Sequence, residues 1–109
     1  MDDNDKIKKI KDWIKEQTDK RPDRIAVFTK HGIVVPGICD DVRFSKLSYP
    51  GTVAAFSIVI TGAAEGMAAE YNFGPIIESV TIRLFGGHKF VLYPYKIDKE
   101  LYVILTEQD

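Results

Sequence analysis

The side chains in this sequence able to act as nucleophiles include Cys39, Ser45, Ser48, Ser57 and Ser79, and its two histidines are His31 and His88. Nucleophilic catalysis needs a base within hydrogen-bond reach of the nucleophile and a donor that stabilises the developing charge. Neither histidine sits in a recognisable motif of that kind. A metal centre could draw on His31, Cys39, Asp40, Asp41 and His88, yet no pair among them has the spacing of a known ligand motif. Gly86 and Gly87 fall between two strand-like segments with no helix after them, so they lack the helix N-terminus that binds phosphate in nucleotide loops. Cys39 reads as a small structural side chain, because a reactive thiol requires an activating neighbourhood. The chemistry-bearing residues therefore predict no catalytic site, no metal and no cofactor.

The bulk properties narrow the classes further. A length of 109 residues suits a single domain covering residues 1–109. Fifteen basic and sixteen acidic residues give a net charge of -1, which supplies no electrostatic footprint for nucleic acid. One cysteine excludes an internal disulfide framework and suits a reducing compartment. The N-terminal residues MDDNDKIKKI lack the apolar core of a signal peptide. The most apolar run, residues 53–64, is shorter than the roughly 20 residues that span a bilayer. A cytoplasmic protein without membrane insertion is expected.

The element that must organise the rest is the stretch at residues 51–73, GTVAAFSIVITGAAEGMAAEYNF. It carries two charges, Glu65 and Glu70, and no interior proline, so it predicts one continuous helix. At about 100° per residue, Val53, Phe56, Ile60, Met67 and Tyr71 gather on one arc, which is expected to face the protein's own core. The opposite arc places Ala55, Gly62, Gly66 and Ala69, with Ile58 beside them, where a surface helix would carry lysines and glutamates. Glycine inside a helix costs roughly 1 kcal/mol relative to alanine. Close approach of a second backbone would offset that cost. The helix is thus expected to be buried on two sides, by its own sheet and by a partner, most simply a second copy.

The remaining elements follow in order. Asp3, Asn4 or Asp5 is expected to cap a first helix, with Ile7, Ile10, Trp13 and Ile14 forming its apolar stripe. The segment RIAVFT at residues 24–29, the turn Lys30-His31-Gly32 and the run Ile33-Val34-Val35 predict a β-hairpin closed by Pro36-Gly37. Residues 38–50 read as a loop. Residues 76–85 alternate, with Val80, Ile82 and Leu84 on one face and Ser79, Thr81 and Arg83 on the other. Two further strands, residues 88–95 and 101–106, are separated by a short polar turn, and Pro94 predicts an irregularity in the first of them. The class is α+β with antiparallel pairing.

This order and several local patterns resemble the roadblock-type domains, a family named after a dynein light chain that also includes bacterial and archaeal partners of Ras-like GTPases. The resemblance covers residues 5–106. It is carried by RIAVFTKHGIVV, the alanine-rich central helix, IIESVTIRLFGG and KFVLYPYKIDKELYVILTE. It implies a five-stranded antiparallel sheet in the order 2-1-5-4-3, with the N-terminal helix on one face and the central helix on the other. Some members carry a C-terminal helix, which is not expected here. The resemblance also implies a homodimer built through the central helix and the third strand, which adds Ser79, Thr81 and Arg83 to the interface with Ala55, Ile58, Gly62, Gly66 and Ala69.

Functionally it implies a non-enzymatic scaffold or adaptor that binds, and in some members regulates, a small Ras-like GTPase or assembles a larger complex. No arginine can be assigned as a GTPase finger; Arg43 and Arg83 are contact candidates whose ordinary role is surface salt bridging. Two other classes compete. One is a small-ligand sensor with a pocket between sheet and helix, lined by Phe28, Phe90 or Tyr93. The other is an enzyme using Cys39 or a histidine.

Overall fold

The structure is a computed structural model that describes residues 2–17, 25–35, 38, 50–72 and 77–108. In chain order its elements are α1 (Asp3–Gln17), β1 (Ile25–Thr29), α2 (Pro50–Glu70), β2 (Val80–Arg83), β3 (Lys89–Ile97) and β4 (Glu100–Gln108). The strands form one antiparallel sheet in the order β1-β4-β3-β2.

Helix α1 starts one residue earlier than the capping candidates suggest. Asp2 is the cap: its carboxylate Oδ1 accepts the Asp5 backbone N–H at 2.9 Å, satisfying one of the donors a helix leaves open. Beyond it, Ile10 and Ile14 are buried and Ile7 and Trp13 pack beside them, as the stripe predicts.

The pleat sends alternate residues of each strand to opposite faces. Ile25 and Val27 of β1 join Tyr102 and Ile104 of β4 and Ile97 of β3 under α1. Ala26 and Phe28 point the other way, with Leu105, and meet Ala54, Val53 and Ile58 of α2. The two helices therefore cover opposite faces of the sheet. Trp13 extends the α1 side, its ring edge-on to Tyr93 at 5.2 Å between centroids and tilted against Tyr95 at 5.4 Å.

Among the described residues the sheet has four strands, and the expected fifth is not formed there. Of the second hairpin segment only a single bridge remains, Phe28 to Val34. Two backbone bonds hold it there, Thr29 N–H to the Ile33 carbonyl and Val35 N–H to the Val27 carbonyl, each 2.8 Å. The Thr29 hydroxyl accepts the N–H groups of His31 and Ile33 at 3.3 Å and rounds off the turn. Gly32, at φ 77°, lets this turn lie against α2, where a Cβ would stand 3.7 Å from the Ala55 nitrogen.

Pro94 produces no irregularity: β3 and β4 pair without a break from Lys89↔Gln108 to Ile97↔Glu100. The reason is its place. β2 pairs with β3 only as far as Leu92, so Pro94 lies where that side of β3 has no strand neighbour among the described residues. At the far end of α2, Asn72 adopts φ 61° and its N–H reaches the Ala69 carbonyl at 3.0 Å, the left-handed stop that asparagine tolerates.

Candidate interaction surface

The central helix seats itself on the sheet in a different rotation from the one its bulky residues suggest. Ala54, Ser57 and Thr61 are the buried positions, and Ala64 and Ala68 continue the same arc half-buried. Both hydroxyls are satisfied within the helix. Ser57 donates to the Val53 carbonyl and Thr61 to the Ser57 carbonyl, each at 2.8 Å. Such back-bonding allows a hydroxyl to leave water without an unmade hydrogen bond. Opposite this shallow helix face the sheet offers the large side chains Phe28, Leu92 and Leu105, so small residues on the helix meet large ones on the strands.

The expected core arc is accordingly corrected. Val53 and Ile60 are half-buried, but Phe56 is 61% exposed, Met67 65% and Tyr71 70%, and Val59 beside them is 66% exposed. The expected partner arc lies on this same outer side: Ala55, Gly62, Gly66 and Ala69 are all exposed. A Cβ added at Gly62 or Gly66 would meet nothing within 4 Å. Ile58 is the exception and does not belong to the outer face, because it packs against Phe28, Ala26 and Ala54. The outer face is thus a mixture of bulky apolar side chains and gaps.

One helix among the described residues is long and apolar enough to cross a membrane by length and composition, residues Thr52–Glu70, with a mean hydropathy of 1.5 and 17% of its most apolar window buried. The run at residues 53–64 understates this, since small residues beyond it keep the helix apolar to its C-terminal turn.

The second part of the surface is the edge strand β2. It bonds only to β3, so its outer row of N–H and C=O groups faces no strand among the described residues. Ser79, Thr81 and Arg83 are exposed while Val80 and Ile82 are half-buried towards α2, the alternation read from the sequence. Edge and helix are adjacent, since α2 rests on β2, β3 and β4.

The chemistry-bearing residues are not brought together. His31 lies in the turn after β1, whose last residue pairs with Tyr102, whereas His88 adjoins Lys89, which pairs with Gln108. Six residues of strand separate those positions, roughly 20 Å. Ser57 is buried and bonded inside its helix. Among the described residues no group of three His, Cys, Asp or Glu side chains could hold a metal ion. Cys39, Asp40, Asp41, Arg43, Ser45 and Ser48 lie outside the described residues. Of the three residues named for a ligand pocket, Phe28 lies on the α2 face and Tyr93 on the α1 face, while Phe90 shares the α2 face with Leu92.

Set beside known proteins, the chain matches no protein-family model and no curated protein.

Proposed function

We propose that this chain is a non-enzymatic scaffold that pairs with a second copy of itself and presents the joined platform to a protein partner, a small Ras-like GTPase. The observation that carries the reading is the outer face of α2, where Phe56, Val59 and Met67 stand exposed around the gaps at Gly62 and Gly66. Exposed apolar area of this extent on a soluble chain marks an interaction site.

The arrangement fits itself. When two α2 helices run antiparallel and cross between Gly62 and Ala63, Val59 of one copy lies over Gly66 of the other and Phe56 lies beside Ala69. Large side chains then enter small ones from both directions, as an isologous two-fold contact requires. A stable interface buries on the order of 800 Å² from each partner. The outer face of α2 and the open edge of β2, bearing Ser79, Thr81 and Arg83, are the surfaces that would be joined in it. Residues 33–35, with their single bridge to Phe28, stand where the roadblock-type domains that the sequence resembles carry the strand outside β1. The choice of a GTPase as partner rests on that resemblance, as does the adaptor role.

Light scattering of the purified chain tests the pairing: a dimer at micromolar concentration is expected, and a strict monomer overturns it. Co-purification with a Ras-like GTPase loaded with either nucleotide tests the partner, and absence of association in both states overturns that half alone.

A further inference from the structure

The tip of the hairpin joining β2 to β3 protrudes beyond the edge assigned to self-pairing and shares only Arg83 with it. The Leu84 N–H donates to the His88 carbonyl at 2.8 Å and closes the loop. Inside it Gly86 and Gly87 hold φ 93° and 90°, backbone that other residues rarely adopt. The loop presents Phe85 wholly to solvent, with Leu84 about half-exposed beside it.

Single exposed apolar residues are ordinary; the flanks distinguish this pair. Arg83 and Lys89 are direct partners in the β2–β3 register. Directly opposed residues share a face with Cβ atoms about 4.5–5.5 Å apart, where like charges repel. Glu107 pairs with Phe90 and so takes the other face. Neither cation has a salt bridge among the described residues. The fold thus holds two cations together at the base of a protruding phenylalanine.

We propose that this hairpin tip docks the protein onto an anionic lipid surface, with Leu84 and Phe85 entering the headgroup region and Arg83 and Lys89 meeting lipid phosphates. A convex tip needs a preformed pocket on a protein partner but none in a deformable lipid interface, where aromatic rings settle at headgroup level. Arg and Lys stems lie along apolar surroundings while their heads reach the phosphates, which relieves the repulsion between them. With a net charge of -1 the attraction is local to the tip rather than a property of the whole molecule, so salt screens it. This is peripheral attachment and makes no use of α2 as a span.

The test is co-sedimentation of the full chain with phosphatidylcholine vesicles, with and without phosphatidylserine. Binding is expected only with phosphatidylserine, weakening as salt rises. Arg83→Gln and Lys89→Gln should each lower it by roughly fivefold, and Phe85→Ser should lower it further, all three retaining the wild-type circular dichroism because the side chains are not in the core. Equal binding to neutral vesicles, no binding to either, or wild-type binding by Phe85→Ser overturns the proposal; the last outcome moves the lipid contact to α2. The proposal is independent of self-pairing, since antiparallel β2 edges point the two tips to opposite ends of the joined sheet and one bilayer meets one tip. A Gly66→Leu chain should therefore bind vesicles as the wild type does, and loss of binding in that variant alone also overturns the proposal.

Discussion

Lys6 Nζ lies 3.0 Å from Glu100 Oε2, a salt bridge that ties the first turns of α1 to the start of β4 across 94 positions of sequence. The Tyr102 hydroxyl donates to the same carboxylate oxygen at 3.0 Å. The Lys6 hydrogen bond, then that of Tyr102, then the Lys6 charge hold the Glu100 carboxyl below the usual carboxylate range. A carboxylate whose folded pKa is depressed contributes stability that is fully present above its unfolded pKa and is lost as pH falls through the folded value. Acid should therefore loosen the seat of α1 on the sheet. Thermal melts taken from neutral pH downward should fall less steeply for Glu100→Gln than for the wild type, and an identical slope would show that the bridge carries no part of the acid response.

The turn that follows β3 offers a stabilising change. Asp98 and Lys99 adopt φ 50° and 70°, the left-handed pair of a two-residue hairpin turn that favours Asn-Gly or Asp-Gly. Left-handed backbone costs an ordinary residue roughly 1–2 kcal/mol. Lys99→Gly should raise the stability of the protomer by about 1 kcal/mol, read as a higher urea midpoint at unchanged slope. A lower midpoint would mean that the lysine side chain contributes more than its backbone costs.

How much of this was legible in the sequence depended on how one-sided each element is. The Ile7–Ile10–Ile14 stripe placed α1 because lysines and acids mark its other side, and the alternation through Val80–Arg83 placed an edge strand in the same way. The central helix gave no such contrast. Both of its arcs are apolar, and the choice of inner face fell to Ser57 and Thr61, whose hydroxyls bond their own helix and can be buried. A signal for this was present in the strands: Phe28, Leu92 and Leu105 already fill the space beneath the helix, so only small residues fit above them. Pro94 misled for a related reason, since its effect depends on where β2 stops, a length that local sequence does not set. The interaction surface was half legible, with the gaps recognised and the bulky residues around them assigned to the core.

The rotation of α2 makes opposite forecasts for two residues of similar character. Met67 is largely exposed, so Met67→Ala should change protomer stability by no more than about 0.5 kcal/mol. Ala54 is fully buried against Ala26 and Phe28, and Ala54→Leu should cost about 1–3 kcal/mol through overpacking. Urea unfolding at a concentration where the chain is monomeric distinguishes the two. A large loss in Met67→Ala would return the bulky arc to the core.

Gly62 and Gly66 separate folding from pairing. Open space beyond each means that a larger side chain meets no atom of its own chain, and replacing a helical glycine by a better helix former stabilises by up to about 1 kcal/mol. Gly62→Ala and Gly66→Ala should both raise the melting temperature of the isolated protomer. Gly66→Leu should do the same while filling the gap proposed to receive Val59 of a second copy, so sedimentation velocity should report a more stable chain that does not dimerise. Stability and association moving in opposite directions is the outcome that a merely structural glycine does not produce. If Gly66→Leu left the association constant unchanged, the helix crossing would have to lie elsewhere on the surface, and the open edge of β2 would be left as the contact to test.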